Sequence, residues 1–419
     1  VSATTRYWCE LAWLGGAAPE AGVLIEVDGG VISSVATGVA TTDSCTVFNG
    51  LTLPGLVSAH SHSFQRALRG RTEGRAEGSF WTWRESMYEL AARLDEERVE
   101  ALARATFAEM ALAGITLVGE FDYIHHSDAI LRAADAVGIR VTLIDACYLH
   151  GGIEAFRDGS AADWVSRVSG IEPGQRARLG VAIHSVRAVD PESAAVVAGF
   201  ASERGLALHA HVSEQPAENE GCLREHGLTP TALLAGAGAL GEHFTAVHAT
   251  HLTDDDVRLL IESGSTVCMC PTTERDLADG IGVPGGRFTL GSDSNAVIDV
   301  FEEARAVELD RRLATGVRGL YAPDELARAA TCHGYDTLGW PGGGRITVGA
   351  PADFVAVGLG SVRLAGTRSV DTLDAVVFAG SAADVSDVVV DGRVIVRDGT
   401  HVTMDVAGEL RDAIAAVSD

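Results

Sequence analysis

Eight short apolar runs, at 53–62, 116–123, 140–148, 179–185, 207–214, 245–251, 266–271 and 288–295, recur along the chain between segments of helical length. The helical candidates are Ala-rich and carry Arg and Glu; they include 95–113, 129–137, 191–204, 253–262 and 301–312. Runs rich in Val, Ile and Leu that alternate with helices read as βα units around a parallel sheet. Eight units predict an α/β fold of the closed (β/α)8 TIM-barrel kind. The rival, an open doubly wound sheet, lacks its Gly-rich dinucleotide turn after every one of these strands.

The two chain ends have another rhythm. Strand candidates lie at 7–14, 23–27 and 31–35, the last two joined by Asp28-Gly29-Gly30, a turn that accepts positive φ. Similar material returns at 353–357, 375–378 and 388–396, the last with an Asp391-Gly392 turn, before an amphipathic stretch at 406–417. The expected organisation is a small β-sandwich domain built from both termini, 1–52 and 345–419 with a C-terminal helix, around a catalytic barrel at 53–344.

Composition limits the chemistry. A chain of 419 residues with 47% hydrophobic and 21% charged side chains has the make-up of a globular protein. No run approaches the roughly 18 apolar residues of a membrane span, so no membrane partner is expected. The 58 acidic and 32 basic residues leave a net charge of -26, which repels a phosphate backbone and argues against a nucleic-acid partner. All the basic residues are Arg. Without Lys there is no Schiff base, no phosphate-loop Lys and no carboxylated-Lys metal bridge. Seven scattered cysteines, and an N-terminal stretch without a basic segment followed by an apolar one, fit thiols in a reducing cytoplasm.

In a barrel the chemistry collects at the carboxyl ends of the strands, and here those ends carry histidines and carboxylates. His60 and His62, at i and i+2, point the same way and can reach one metal. His209 and His211 share that spacing; His211, nearer the strand end, is the preferred third ligand, and the other reading is a hydrogen-bonded core histidine. Asp293 follows the last run and can ligate metal and contact a bound water, although it can also cap the next helix. Three N donors and one O donor at a barrel mouth match Zn2+ or Fe2+. Glu214, unligated at the mouth, can relay a proton. His248 and His251 compete for one role after the sixth run, with His248 preferred. Cys268 and Cys270 read as core residues, and Ser61 lacks the Gly-x-Ser-x-Gly elbow of an acyl-transfer nucleophile.

Leu53-Pro54-Gly55, His60-Ser61-His62, His211 to Glu214, His248 and Gly291-Ser292-Asp293 together resemble the amidohydrolase superfamily. Within it, Phe64-Gln65-Arg66-Ala67, residues 79–85, 120–126 and 184–189, and Cys270 to Glu274 resemble the formimidoylglutamate deiminases of histidine breakdown. The resemblance covers nearly the whole chain. It implies one zinc per chain held by His60, His62, His211 and Asp293, with Glu214, His248 and Asp293 handling protons and orienting water. The implied reaction converts N-formimino-L-glutamate and water to N-formyl-L-glutamate and ammonia in a cytoplasmic enzyme, expected as a homodimer. Binuclear relatives bridge their metals with a carboxylated Lys, which this chain lacks.

A small anionic dicarboxylate needs cationic partners, for which Arg84 and Arg187 are the candidates. The resemblance adds Gln65 and Tyr123 as hydrogen-bond partners and His184 near the formimino group. Arg84 lies in an aromatic-rich stretch, 63–95, long for a barrel loop and expected to act as a lid. The pattern departs from the family at Asn295 and at Asp122, where His is commoner. The alternatives are a zinc aminohydrolase for another formimino or guanidino acid or a nucleobase-like or triazine-like heterocycle, and a non-catalytic barrel scaffold.

Overall fold

The computed structural model describes residues 4–41, 44–73 and 78–418. Eight parallel strands, Leu56–Ser61, Ile115–Asp122, Arg140–Cys147, Ala177–Ser185, Leu208–Val212, Phe244–His248, Thr266–Met269 and Phe288–Leu290, pair in chain order. The first three are buried at every residue, as a sheet covered by helices outside and filled by side chains inside requires. Helices fill the connections, and the side chains of Asp95, Asp190 and Thr253 each accept a first-turn N–H of the helix they precede.

The regular ladder does not continue from the eighth strand to the first. There the barrel is closed by an isolated bridge between Ser61 and Asp293. The His62 N–H donates to the Asp293 carbonyl at 2.9 Å, and the Asp293 N–H donates to the His60 carbonyl at 3.0 Å.

A second eight-stranded sheet combines the chain ends in the order Thr400–His401, Arg393–Arg397, Val385–Val390, Phe354–Val357, Thr46–Pro54, Thr5–Ala12, Glu20–Asp28 and Val31–Ala36. It curls so that Ile32 N–H reaches the Ala350 carbonyl and Ala352 N–H the Gly30 carbonyl, at 2.9 and 2.8 Å. Tyr7 stacks on Phe48 inside it, with centroids 5.5 Å apart, and Phe354 stands edge-on to both at 5.0 and 6.0 Å, in a core separate from that of the barrel.

Three local expectations are corrected. The run at 53–62 is two strands in two sheets: Thr46–Pro54 belongs to the terminal sheet and Leu56–Ser61 to the barrel. The chain changes sheets at Gly55, where a Cβ would lie 2.1 Å from Thr116 Oγ1. The run at 375–378 lies in the helix Thr372–Ala379, not a strand, because Leu373, Val376 and Val377 bury together against other helices. An unbroken apolar run does not distinguish a buried helix from a buried strand. The stretch 63–95 is no open loop: it holds a 3-10 helix, Ser63–Leu68, and an α-helix, Phe80–Ala91, while 74–77 lie outside the described residues.

Barrel and terminal sheet are joined through Arg140, whose Nε and Nη2 donate to Asp353 Oδ2 and Oδ1 at 2.6 and 3.1 Å. Tyr335 Oη donates to the same carboxylate at 2.7 Å. The C-terminal helix Val406–Ala415 returns to the barrel, where Arg104 donates to Glu409 at 2.6 and 3.0 Å. No helix among the described residues is long and apolar enough to cross a membrane.

Candidate active site

The carboxyl end of the barrel brings His60, His62, His211 and Asp293 to one point. His60 Nε2 is 3.2 Å from His211 Nε2, and Asp293 Oδ1 is 3.3 Å from His60 Nε2 and 3.4 Å from His62 Nε2. Gly291 permits this approach, since a Cβ there would lie 2.9 Å from both the Cβ and the carbonyl of His60. Asp293 and His248 adopt φ of 41° and 66°, backbone strain of the kind that collects at functional sites.

The donor set fits a divalent cation. Burial, reinforced by mutual repulsion, holds the pKa of His60 and His211 well below the usual imidazole range, and burial lowers that of His62, so all three are neutral donors. His62 Nδ1 lies 3.2 Å from the Phe121 carbonyl and His211 Nδ1 lies 2.8 Å from the His184 carbonyl. Those carbonyls fix the N–H on Nδ1 and leave the Nε2 lone pairs turned inward, the second layer of contacts typical of metal-binding histidines. His209 lies one pleat deeper and is fully buried.

Beside this point stands a group suited to proton transfer. His248 Nε2 is 3.7 Å from Glu214 Oε1 and 3.7 Å from Asp293 Oδ2, and its Nδ1 is 3.6 Å from Glu274 Oε1. Burial opposes the imidazolium, yet Glu214, Glu274 and Asp293 outweigh it and hold the His248 pKa well above its usual value. His251 is turned away, its Nε2 2.7 Å from the Asp279 carbonyl. Glu274, part of the Cys270 to Glu274 motif, received no role from sequence; its position beneath His248 becomes legible only in three dimensions.

The cavity over these groups is about 170 Å3, below the roughly 300 Å3 at which pockets for drug-sized ligands begin. Gln65, Arg84, Tyr123, His184 and Arg187 all line it, roofed by the helix Phe80–Ala91. Gln65 Nε2 donates to Tyr123 Oη at 3.0 Å, and its buried Oε1 has no protein partner. Burial, then the Arg187 charge, hold His184 well below the usual imidazole range.

The two arginines differ. Arg187 Nη2 donates to Glu214 Oε2 at 3.1 Å, and its Nε is 3.6 Å from Glu218 Oε2. Glu218 escaped sequence reasoning, although it lies four residues after Glu214 in the first turn of the helix Pro216–His226. Arg84 stacks over Trp81 and Tyr88, 4.4 and 5.5 Å from their centroids. Among the described residues no carboxylate forms an ion pair with it, and its Nε is buried without a partner. Asp122, the first departure from the family pattern, is structural: it accepts from the N–H groups of Ile124 and His125 at 3.0 Å and from Ser127 Oγ at 2.8 Å.

A parallel barrel that gathers histidines and carboxylates at its carboxyl end is an architecture of hydrolytic enzymes. The model of the amidohydrolase family matches residues 51–395, and the chain belongs to that family. It is a hydrolase of carbon–nitrogen bonds other than peptide bonds. The formimidoylglutamate deiminase of Pseudomonas aeruginosa is 36% identical over 90% of each chain. The 5-methylthioadenosine/S-adenosylhomocysteine deaminase of Natronomonas pharaonis is 30% identical over 94% of this chain and 92% of that one. Among solved structures, an amidohydrolase from Brucella melitensis superposes with a TM-score of 0.90 at 30% identity, covering 99% of this chain and 100% of that one. A zinc-containing adenosine deaminase from Xanthomonas campestris gives 0.88 at 22% identity, covering 98% and 97%.

Proposed function

We propose that the protein is a zinc-dependent deiminase of N-formimino-L-glutamate, forming N-formyl-L-glutamate and ammonia. The observation that carries this reading is Arg84, a guanidinium in a small cavity without a carboxylate partner among the described residues. An unpaired cation beside an apolar wall is costly unless a ligand supplies the anion, and a planar guanidinium takes a carboxylate through two parallel hydrogen bonds. Adenosine and 5′-methylthioadenosine offer no carboxylate to this group, and S-adenosylhomocysteine offers only one for the two arginines.

His60, His62, His211 and Asp293 would hold the metal, for which Zn2+ suits three imidazoles and one carboxylate. When bound, such an ion lowers the pKa of water toward about 7 and so makes a nucleophile available at neutral pH. The remaining work belongs to the side chains. Arg84 and Arg187 grip the two carboxylates of the substrate and aim the formimino carbon at the cluster. His248, as imidazolium, and Asp293 orient the attacking oxygen. Glu214 takes the two protons of the attacking water in turn and passes each to the terminal nitrogen. A carbonyl forms, the bond from carbon to that nitrogen breaks, and both water hydrogens leave with it as ammonia.

Ammonia release tests this reading, with N-formimino-L-glutamate and 5′-methylthioadenosine compared on the zinc-loaded enzyme. Turnover of the first alone is expected; turnover of the nucleoside alone would replace the proposal with a nucleoside deaminase.

A further inference from the structure

Asn295 is the second departure from the family pattern, and it occupies the seam where the barrel lacks a regular ladder. It is fully buried, in a left-handed conformation with φ of 57° that Asn tolerates better than most side chains. Its Nδ2 lies 3.1 Å from the carbonyl of His62, 3.1 Å from that of Asp293 and 3.2 Å from Ser61 Oγ. Its Oδ1 accepts from Ser292 Oγ at 2.8 Å, and its own carbonyl accepts from Arg69 Nε and Nη2 at 2.9 and 2.6 Å. One side-chain amide therefore spans the end of the first strand and the loop after the eighth. It binds the backbones of two cluster residues that are 231 positions apart in sequence (293 minus 62).

We propose that Asn295 is a positioning residue that sets the separation of His62 from Asp293 across this seam, so that metal affinity depends on a side chain that touches no metal. Elsewhere in the barrel the backbone ladder holds neighbouring strands in register. At this seam a single bridge and the bonds between Ser58 and Ser292 do so, and the amide adds cross-strand bonds to the His62 carbonyl and to Ser61 Oγ. Removing it takes one of two donors from each of the His62 and Asp293 carbonyls, which keep the N–H groups of Gln65 and His62, and loosens the Asp293 loop relative to His62. Partners one layer behind metal ligands typically account for a ten- to hundredfold change in affinity.

The inference rests on the metal-site reading, and the experiment separates the two. Zn2+ dissociation constants are measured by chelator competition on the full-length wild type and on Asn295→Ala, together with the visible absorption spectra of the Co2+-loaded forms. The expected result is a dissociation constant raised at least tenfold and an altered Co2+ spectrum in the variant. A constant within twofold of wild type with an unchanged spectrum overturns the role of Asn295. A wild type that binds neither ion overturns the metal site itself. If the alanine variant does not fold, the same two measurements are made on Asn295→Ser, whose hydroxyl can replace only one of the donated bonds, and the same criteria decide.

Discussion

Arg187 and Glu214 are in contact, Nη2 to Oε2 at 3.1 Å, so the cation proposed to bind substrate also holds the carboxylate proposed to move protons. The two arginines of the cavity should therefore fail differently. Arg84→Met removes a binding contact only; with a charge-assisted hydrogen bond worth about 1.5 to 3 kcal/mol, KM for the dicarboxylate should rise about ten- to a hundredfold with kcat little changed. Arg187→Met should raise KM and lower kcat together. Steady-state kinetics on both variants decides it, and identical patterns would mean that the Arg187 to Glu214 contact has no catalytic consequence.

Glu214→Gln keeps the shape of the side chain but cannot take up and return a proton. General acid–base help is commonly worth about 10^2 to 10^4 in rate, so kcat should fall at least a hundredfold while substrate still binds. Turnover near the wild-type rate, measured as ammonia released, would take Glu214 out of the reaction.

His209 makes stability depend on pH. Burial pushes its imidazole down to about 4, against about 6.5 when unfolded. Between those values only the unfolded chain takes up the proton, so the stabilisation is full above pH 6.5 and is lost as pH falls through 4. The shift corresponds to about 3 kcal/mol. Urea unfolding of metal-free wild type and His209→Gln at pH 7 and pH 4.5 should show a smaller acid loss in the variant. Equal losses would mean that another group governs the acid limb.

Arg140→Met should leave Asp353 buried and charged without its guanidinium, at a cost of about 3–5 kcal/mol. A lower urea midpoint is expected, whereas Arg140→Met together with Asp353→Leu should recover part of the loss.

The amino-acid sequence alone determined the alternation that makes a barrel, and it placed His60, His62, His211, His248 and Asp293 at strand ends. Those are local properties: apolar periodicity sets the strands, and a strand end in a barrel has only one place to go. Tertiary structure decided what depends on contacts between distant segments. It split the run at 53–62 between two sheets at Gly55 and buried 375–378 as a helix. It also paired Arg187 with Glu214 while leaving Arg84 unpaired among the described residues, and drew Asn295 across the seam to His62. No pattern along the chain encodes these relations, because hydrogen bonds and ion pairs depend on distances of a few ångströms that exist only once the barrel has closed.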